Sequence, residues 1–126
     1  KMKPKYKLIP LQPFPGSVGV AIGASKEELI TYIERKLECP LLDIDKEELD
    51  LSGIEGLTIQ LGNGGTVIWL KHMPRGAIAT SIACHEAFHA ISHILDVTGV
   101  VYDKDKNGEV FAYALSYLVS QILELK

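Results

Sequence analysis

His85, Glu86 and His89 are the residues whose types and spacing could do chemistry. They fall inside the run Ile82-Ala83-Cys84-His85-Glu86-Ala87-Phe88-His89-Ala90-Ile91. On a helix, side chains four apart share a face. His85 and His89 would then aim two imidazoles at one point, the geometry of a two-histidine zinc site. Glu86 would reach a metal-bound water while angled away from direct ligation, the place of a general base in metal-assisted hydrolysis. The His-Glu-x-x-His pattern fixes only three positions, and its surroundings add weight, since the seven other residues of the run are all uncharged. The competing expectation is a core helix with two satisfied histidines and one glutamate. An ionised glutamate buried without a partner is costly, and a metal would satisfy all three side chains at once.

A catalytic zinc takes three protein ligands and keeps one open position. Glu109 is the leading candidate for the third, with Asp103 and Asp105 behind it. It opens a second helical stretch, and a helix, a turn-back loop and a second helix would bring its first turn beside the histidines. Its alternative role is to complement the helix dipole, worth ~0.3–1 kcal/mol. His93 extends the histidine column by another turn, but positions i and i+8 lie ~12 Å apart on a straight helix. A supporting or surface role is expected for it. His72 and Tyr113 could each donate to a developing oxyanion; the plainer expectations are an exposed loop histidine and a core tyrosine. Asp103-Lys104-Asp105-Lys106-Asn107-Gly108 matches the first half of a calcium loop. The twelfth position, where a bidentate acid belongs, is Ala114, so a polar turn between helices is expected there instead.

These residues need elements to position them. The apolar run predicts a helix from about Ala77 to Val97, stopping before Gly99. A second helix is expected from Glu109 to about Leu125. Upstream, Leu57 to Leu61 and Thr66 to Leu70 flank Gly62-Asn63-Gly64-Gly65, a hairpin signal. Tyr6 to Leu11 reads as a short strand that Pro10, Pro13 and Pro15 confine to an edge. Pro15-Gly16-Ser17 marks a turn, and Val18 to Ile22 reads as an extended segment. Ser25 and Glu28 form a capping box for a helix that should end near Glu38, before Pro40. The acidic stretch from Leu41 to Gly56 reads as loop with one helical turn at Lys46–Leu49, its carboxylates solvated rather than cation-binding.

A chain of 126 residues suits a single domain, and 47% hydrophobic residues are ample for a core. The net charge of -3 gives no sign of a nucleic-acid surface. Lys1, Lys3, Lys5 and Lys7 are expected to be a solvated tail, and Lys1 before Met2 hints at a trimmed start. No signal peptide is seen, and no apolar run is long enough to span a bilayer. Cys39 and Cys84 are isolated rather than a disulfide framework, and Cys84 is expected to act as a small hydrophobe. A cytoplasmic, reducing setting follows as the expectation.

His85-Glu86-x-x-His89 followed by Glu109 resembles the gluzincin branch of zinc metallopeptidases. The segment from Glu109 to Leu118 also resembles the glutamate-bearing helix of small zincin-like proteins, including ImmA/IrrE-type and phage-encoded ones. The similarity spans roughly Leu57 to Leu125 and leaves residues 1–56 unplaced. It implies His85, His89 and Glu109 as zinc ligands, Glu86 as catalytic base, and the strand at Thr66–Leu70 as a pairing edge for an extended peptide. Larger gluzincins carry an aspartate one turn after the ligand glutamate; here that place is Tyr113. The expected fold is α+β, with a small, mostly antiparallel sheet packed on the active-site helix and a second, C-terminal helix closing the metal site. The expected function is zinc-dependent hydrolysis of a peptide or protein substrate. The alternative is an inactive, zinc-stabilised domain that binds a protein partner.

Overall fold

The computed structural model of the chain describes residues 3–11, 14, 16–100, 103, 105 and 108–125. Lys1 and Met2, Pro13 and Pro15, and Asn107 of the calcium-loop match lie outside the described residues.

Four strands form one sheet: β1 (Lys5–Pro10), β2 (Ser17–Ile22), β3 (Gly56–Gln60) and β4 (Thr66–Leu70), in the order β1-β2-β4-β3. β1 pairs antiparallel with β2, and β3 antiparallel with β4. β2 and β4 run parallel, with Val18 opposite Thr66 and Ile22 opposite Leu70. Two of the three pairings are antiparallel, as expected of a mostly antiparallel sheet, and the central parallel pairing makes the sheet mixed. A parallel pair needs a long crossover, and the stretch between β2 and β3 supplies it with α1 (Lys26–Thr31) and α2 (Asp43–Glu48). The described residues before β3 thus find their place: they contribute β1 and β2 of the sheet and the helices of the crossover.

Burial explains the order. β4 is Thr66-Val67-Ile68-Trp69-Leu70, and all five residues are buried. A continuous apolar run of this kind marks a strand covered on both faces. Val18, Val20, Ile22, Ile68 and Leu70 face one way, into a core completed by the two long helices α3 (Gly76–Val97) and α4 (Gly108–Leu123). Ala21, Val67 and Trp69 face the other way and pack on Leu29, Tyr32 and Ile33 of the first helix. The indole N–H of Trp69 donates to the Ala24 carbonyl at 2.8 Å, satisfying its one polar atom inside that layer.

The capping box at α1 is present, with the Glu28 N–H on Ser25 Oγ at 3.1 Å and the Ser25 N–H on Glu28 Oε1 at 2.9 Å. α1 continues as a π-type turn over Tyr32–Lys36. It closes with the Cys39 N–H on the Ile33 carbonyl at 3.1 Å, and between them Glu38 takes a left-handed φ of 53°. The widened turn sets Tyr32 over the sheet, where its ring stacks on Tyr6 at 4.6 Å and its hydroxyl donates to the Lys7 carbonyl. Gly19 leaves the room: a Cβ there would lie 2.9 Å from Leu37 and 3.1 Å from the Tyr32 hydroxyl. α2 begins earlier than expected, at Asp43, and buries none of its residues. No helix among the described residues is long and apolar enough to cross a membrane.

Candidate metal centre

α3 carries the centre. Its buried stripe is Ala83, Glu86, Ala87, Ala90, Ile91, Ile94 and Leu95, a helical repeat along one face. Three of the seven are alanines, so the helix axis lies close to the sheet. β3 meets it with a glycine: a Cβ on Gly56 would sit 2.9 Å from Ile82 and 3.1 Å from the Cγ of Glu86.

On the rim of that stripe His85 and His89 are exposed, with their Nε2 atoms 3.1 Å apart. Two nitrogens on one tetrahedral zinc, each ~2.0–2.1 Å from the ion, stand about 3.3 Å from each other. The spacing is compatible with two positions of such an ion, and equally with the N–H of one ring donating to the other ring's nitrogen.

Glu86 turns inward, 8% exposed. Its Oε1 accepts from the Thr58 hydroxyl at 2.7 Å. The cost of burying this glutamate without a partner does not arise, because β3 supplies a protein donor. A cleft of about 690 Å³ runs between β3 and α3, lined by Thr58 and Gln60 on one side and His85, Glu86, His89 and His93 on the other. A carboxylate that is buried, oriented and beside two converging imidazoles can act as a proton acceptor toward a water in this cleft.

The third ligand is less complete. Among the described residues no group of three or more His, Cys, Asp or Glu side chains comes together to hold a metal. Glu109 lies exposed in the first turn of α4, and Asp103 and Asp105 lie in the loop before it. The Phe111 ring packs 5.4 Å from that of Phe88, so the start of α4 is held against α3 beside His89.

His93 is half-buried. Its Nδ1 lies 2.6 Å from the hydroxyl of buried Thr66, a bond that ties α3 to β4. His72 is exposed just past β4 and Tyr113 is 72% exposed, and the residues lining the cleft include neither. Tyr113 as a core tyrosine is corrected by that exposure, and Cys84, expected to act as a small hydrophobe, is exposed as well.

Sequence reasoning missed Thr58 and put the pairing edge on the wrong strand. β4 is hydrogen-bonded on both sides, so the free edge beside the cleft belongs to β3. The signal was there in the patterns. Leu57-Thr58-Ile59-Gln60 alternates apolar and polar, as a half-exposed strand does, while Val67 to Leu70 is an unbroken apolar run. Comparison with protein-family models, with curated proteins and with solved structures gave no match to this chain.

Proposed function

We propose that the chain is a zinc-dependent peptide hydrolase. One observation carries this: two imidazole nitrogens 3.1 Å apart, beside an inward carboxylate that β3 holds in place. His85 and His89 would hold the ion. The third position we assign to Glu109, on the resemblance to gluzincins and on its place at the head of the helix that packs on Phe88. A bound zinc supplies Lewis acidity and lowers the pKa of a water toward ~7.

The chain's own groups do the rest. Glu86 takes a proton from the attacking water and passes it to the leaving amine. Thr58 fixes the direction of the carboxylate. The free edge of β3 offers its outward N–H and C=O groups to an extended peptide, which would lie along the cleft as a fifth strand.

The test is metal content and turnover together. Protein purified without added metal should contain about one zinc per chain, and His85→Ala should lose it. Glu86→Gln should keep the zinc and lose hydrolysis of an unstructured protein such as casein by at least about a hundredfold, the scale of general-base catalysis. A parent that carries no metal would sink the reading. A parent with zinc and no turnover would favour the second one, a zinc-stabilised binding domain.

A further inference from the structure

The cleft between β3 and α3 continues past the two imidazoles. Gly56 lies beside Glu86, and Gln60 pairs with Thr66, whose hydroxyl meets His93. β3 and α3 therefore run the same way along the cleft, from the His85 end to an end lined by Gln60, Ser92, His93 and Asp96. Asp96 stands eleven residues after His85 and seven after His89. At 3.6 residues per turn those spacings return it to the helix face that carries both imidazoles, ~10 Å beyond His89.

The fold does not account for this carboxylate. Asp96 is exposed and sits in the last turn of α3, where the negative end of the helix dipole opposes an acid. Among the described residues no hydrogen bond or ion pair holds its side chain. The residues lining the cleft include no lysine or arginine, so nothing there answers its charge. One turn back, the His93 ring is fixed by Thr66 at 2.6 Å, which gives this end of the cleft a wall that stays in place.

We propose that Asp96 is a specificity residue, receiving a lysine or arginine of the bound peptide two residues ahead of the one whose carbonyl is attacked. This rests on β3 as the docking edge of a hydrolase that cuts at the His85 end. Antiparallel pairing is the more stable choice for an added strand. It runs the peptide against β3 and lays the part ahead of the cut at the Asp96 end. Two residues of extended chain cover ~6.8 Å and bring a side chain back to the same face. The few ångströms left are spanned by the stem of a lysine or arginine. Charge selects the occupant: an unpartnered carboxylate accepts hydrogen bonds from a cation, doubly from arginine, and an acid at this place would meet a like charge.

Two labelled decapeptides test it, alike except for lysine or glutamate at the fourth place and otherwise built of uncharged residues. Fluorescence anisotropy gives their affinities for Glu86→Gln with zinc present, which binds without cutting. Mass spectrometry locates the cut made by the parent. The lysine peptide should bind at least about threefold tighter, the scale of an exposed ion pair, and should be cut between the second and third residues after the lysine. Asp96→Asn should level the two affinities and Asp96→Lys should reverse their order, with circular dichroism confirming that each variant is folded. Equal affinities without a change at Asp96, failure of both peptides to bind, or a lysine preference that survives Asp96→Lys overturns the proposal. The hydrolase is judged separately. Casein cut with no lysine preference keeps the hydrolase and loses the role of Asp96, whereas a preference that follows Asp96 with no cutting keeps that role and loses the hydrolase.

Discussion

The hydroxyl of Thr58 has one proton and two acceptors within reach, the Glu86 carbonyl at 3.0 Å and the Glu86 carboxylate at 2.7 Å. Hydrogen bonds to a charged acceptor are the stronger ones, so the proton goes to the carboxylate. Thr58→Val keeps the shape and leaves a buried carboxylate short of a donor. The expected loss is about 1–3 kcal/mol in urea denaturation, and Thr58→Ser should recover most of it. Tyr32 makes a second prediction at this scale. Burial pushes its phenol up to about 12 from the usual 10.0. Between those values the unfolded chain loses a proton that the folded one keeps, so stability is intact below pH 10 and falls as pH rises toward 12. Tyr32→Phe should flatten that decline in thermal melts taken between pH 9 and 12, whereas an unchanged slope would place the titrating group elsewhere. Residue placement was readable from the chain where spacing fixes direction, as for His85 and His89, which share one face of α3. It was not readable for Glu86, because its partner stands 28 positions away on another element.

Elements were legible where a local signal begins or ends them. The Ser25 and Glu28 box, the paired strands around Gly62 to Gly65 and the long run of α3 all announced themselves. The π-type turn at Tyr32–Lys36 did not, since what widens it is the seat for Tyr32 against Tyr6 and Gly19, a tertiary contact. That turn leaves Glu38 in the left-handed region, where a side chain costs about 1 kcal/mol and glycine does not. Glu38→Gly should raise stability by roughly that amount, read as a higher denaturation midpoint with unchanged m-value. Gly56→Ala should do the reverse. Its methyl group would push on Ile82 and Glu86, an overpacking cost of about 1–3 kcal/mol.

Across the whole molecule the sheet order was the hidden variable. Strand pairing between β2 and β4 joins residues about 48 positions apart, as Val18 and Thr66 show, and no local pattern encodes which strands meet. The two-histidine centre gives a prediction at this scale. An ion that binds only the folded chain stabilises it by mass action. Added zinc should raise the melting temperature of the parent and leave His85→Ala unmoved; equal shifts in both would show binding elsewhere. The two rims of the sheet are also unequal. β1 carries Lys5, Lys7 and Pro10, residues that discourage another chain from adding on. β3 is Gly-Leu-Thr-Ile-Gln, with no charge and no proline. A rim left open to receive guests cannot choose among them, and at high concentration its neighbours in solution become candidates for amyloid-like stacking. Gln60→Lys, which posts a gatekeeper at the last residue of that rim, should lengthen the lag before thioflavin-positive fibres form while leaving the melt unchanged.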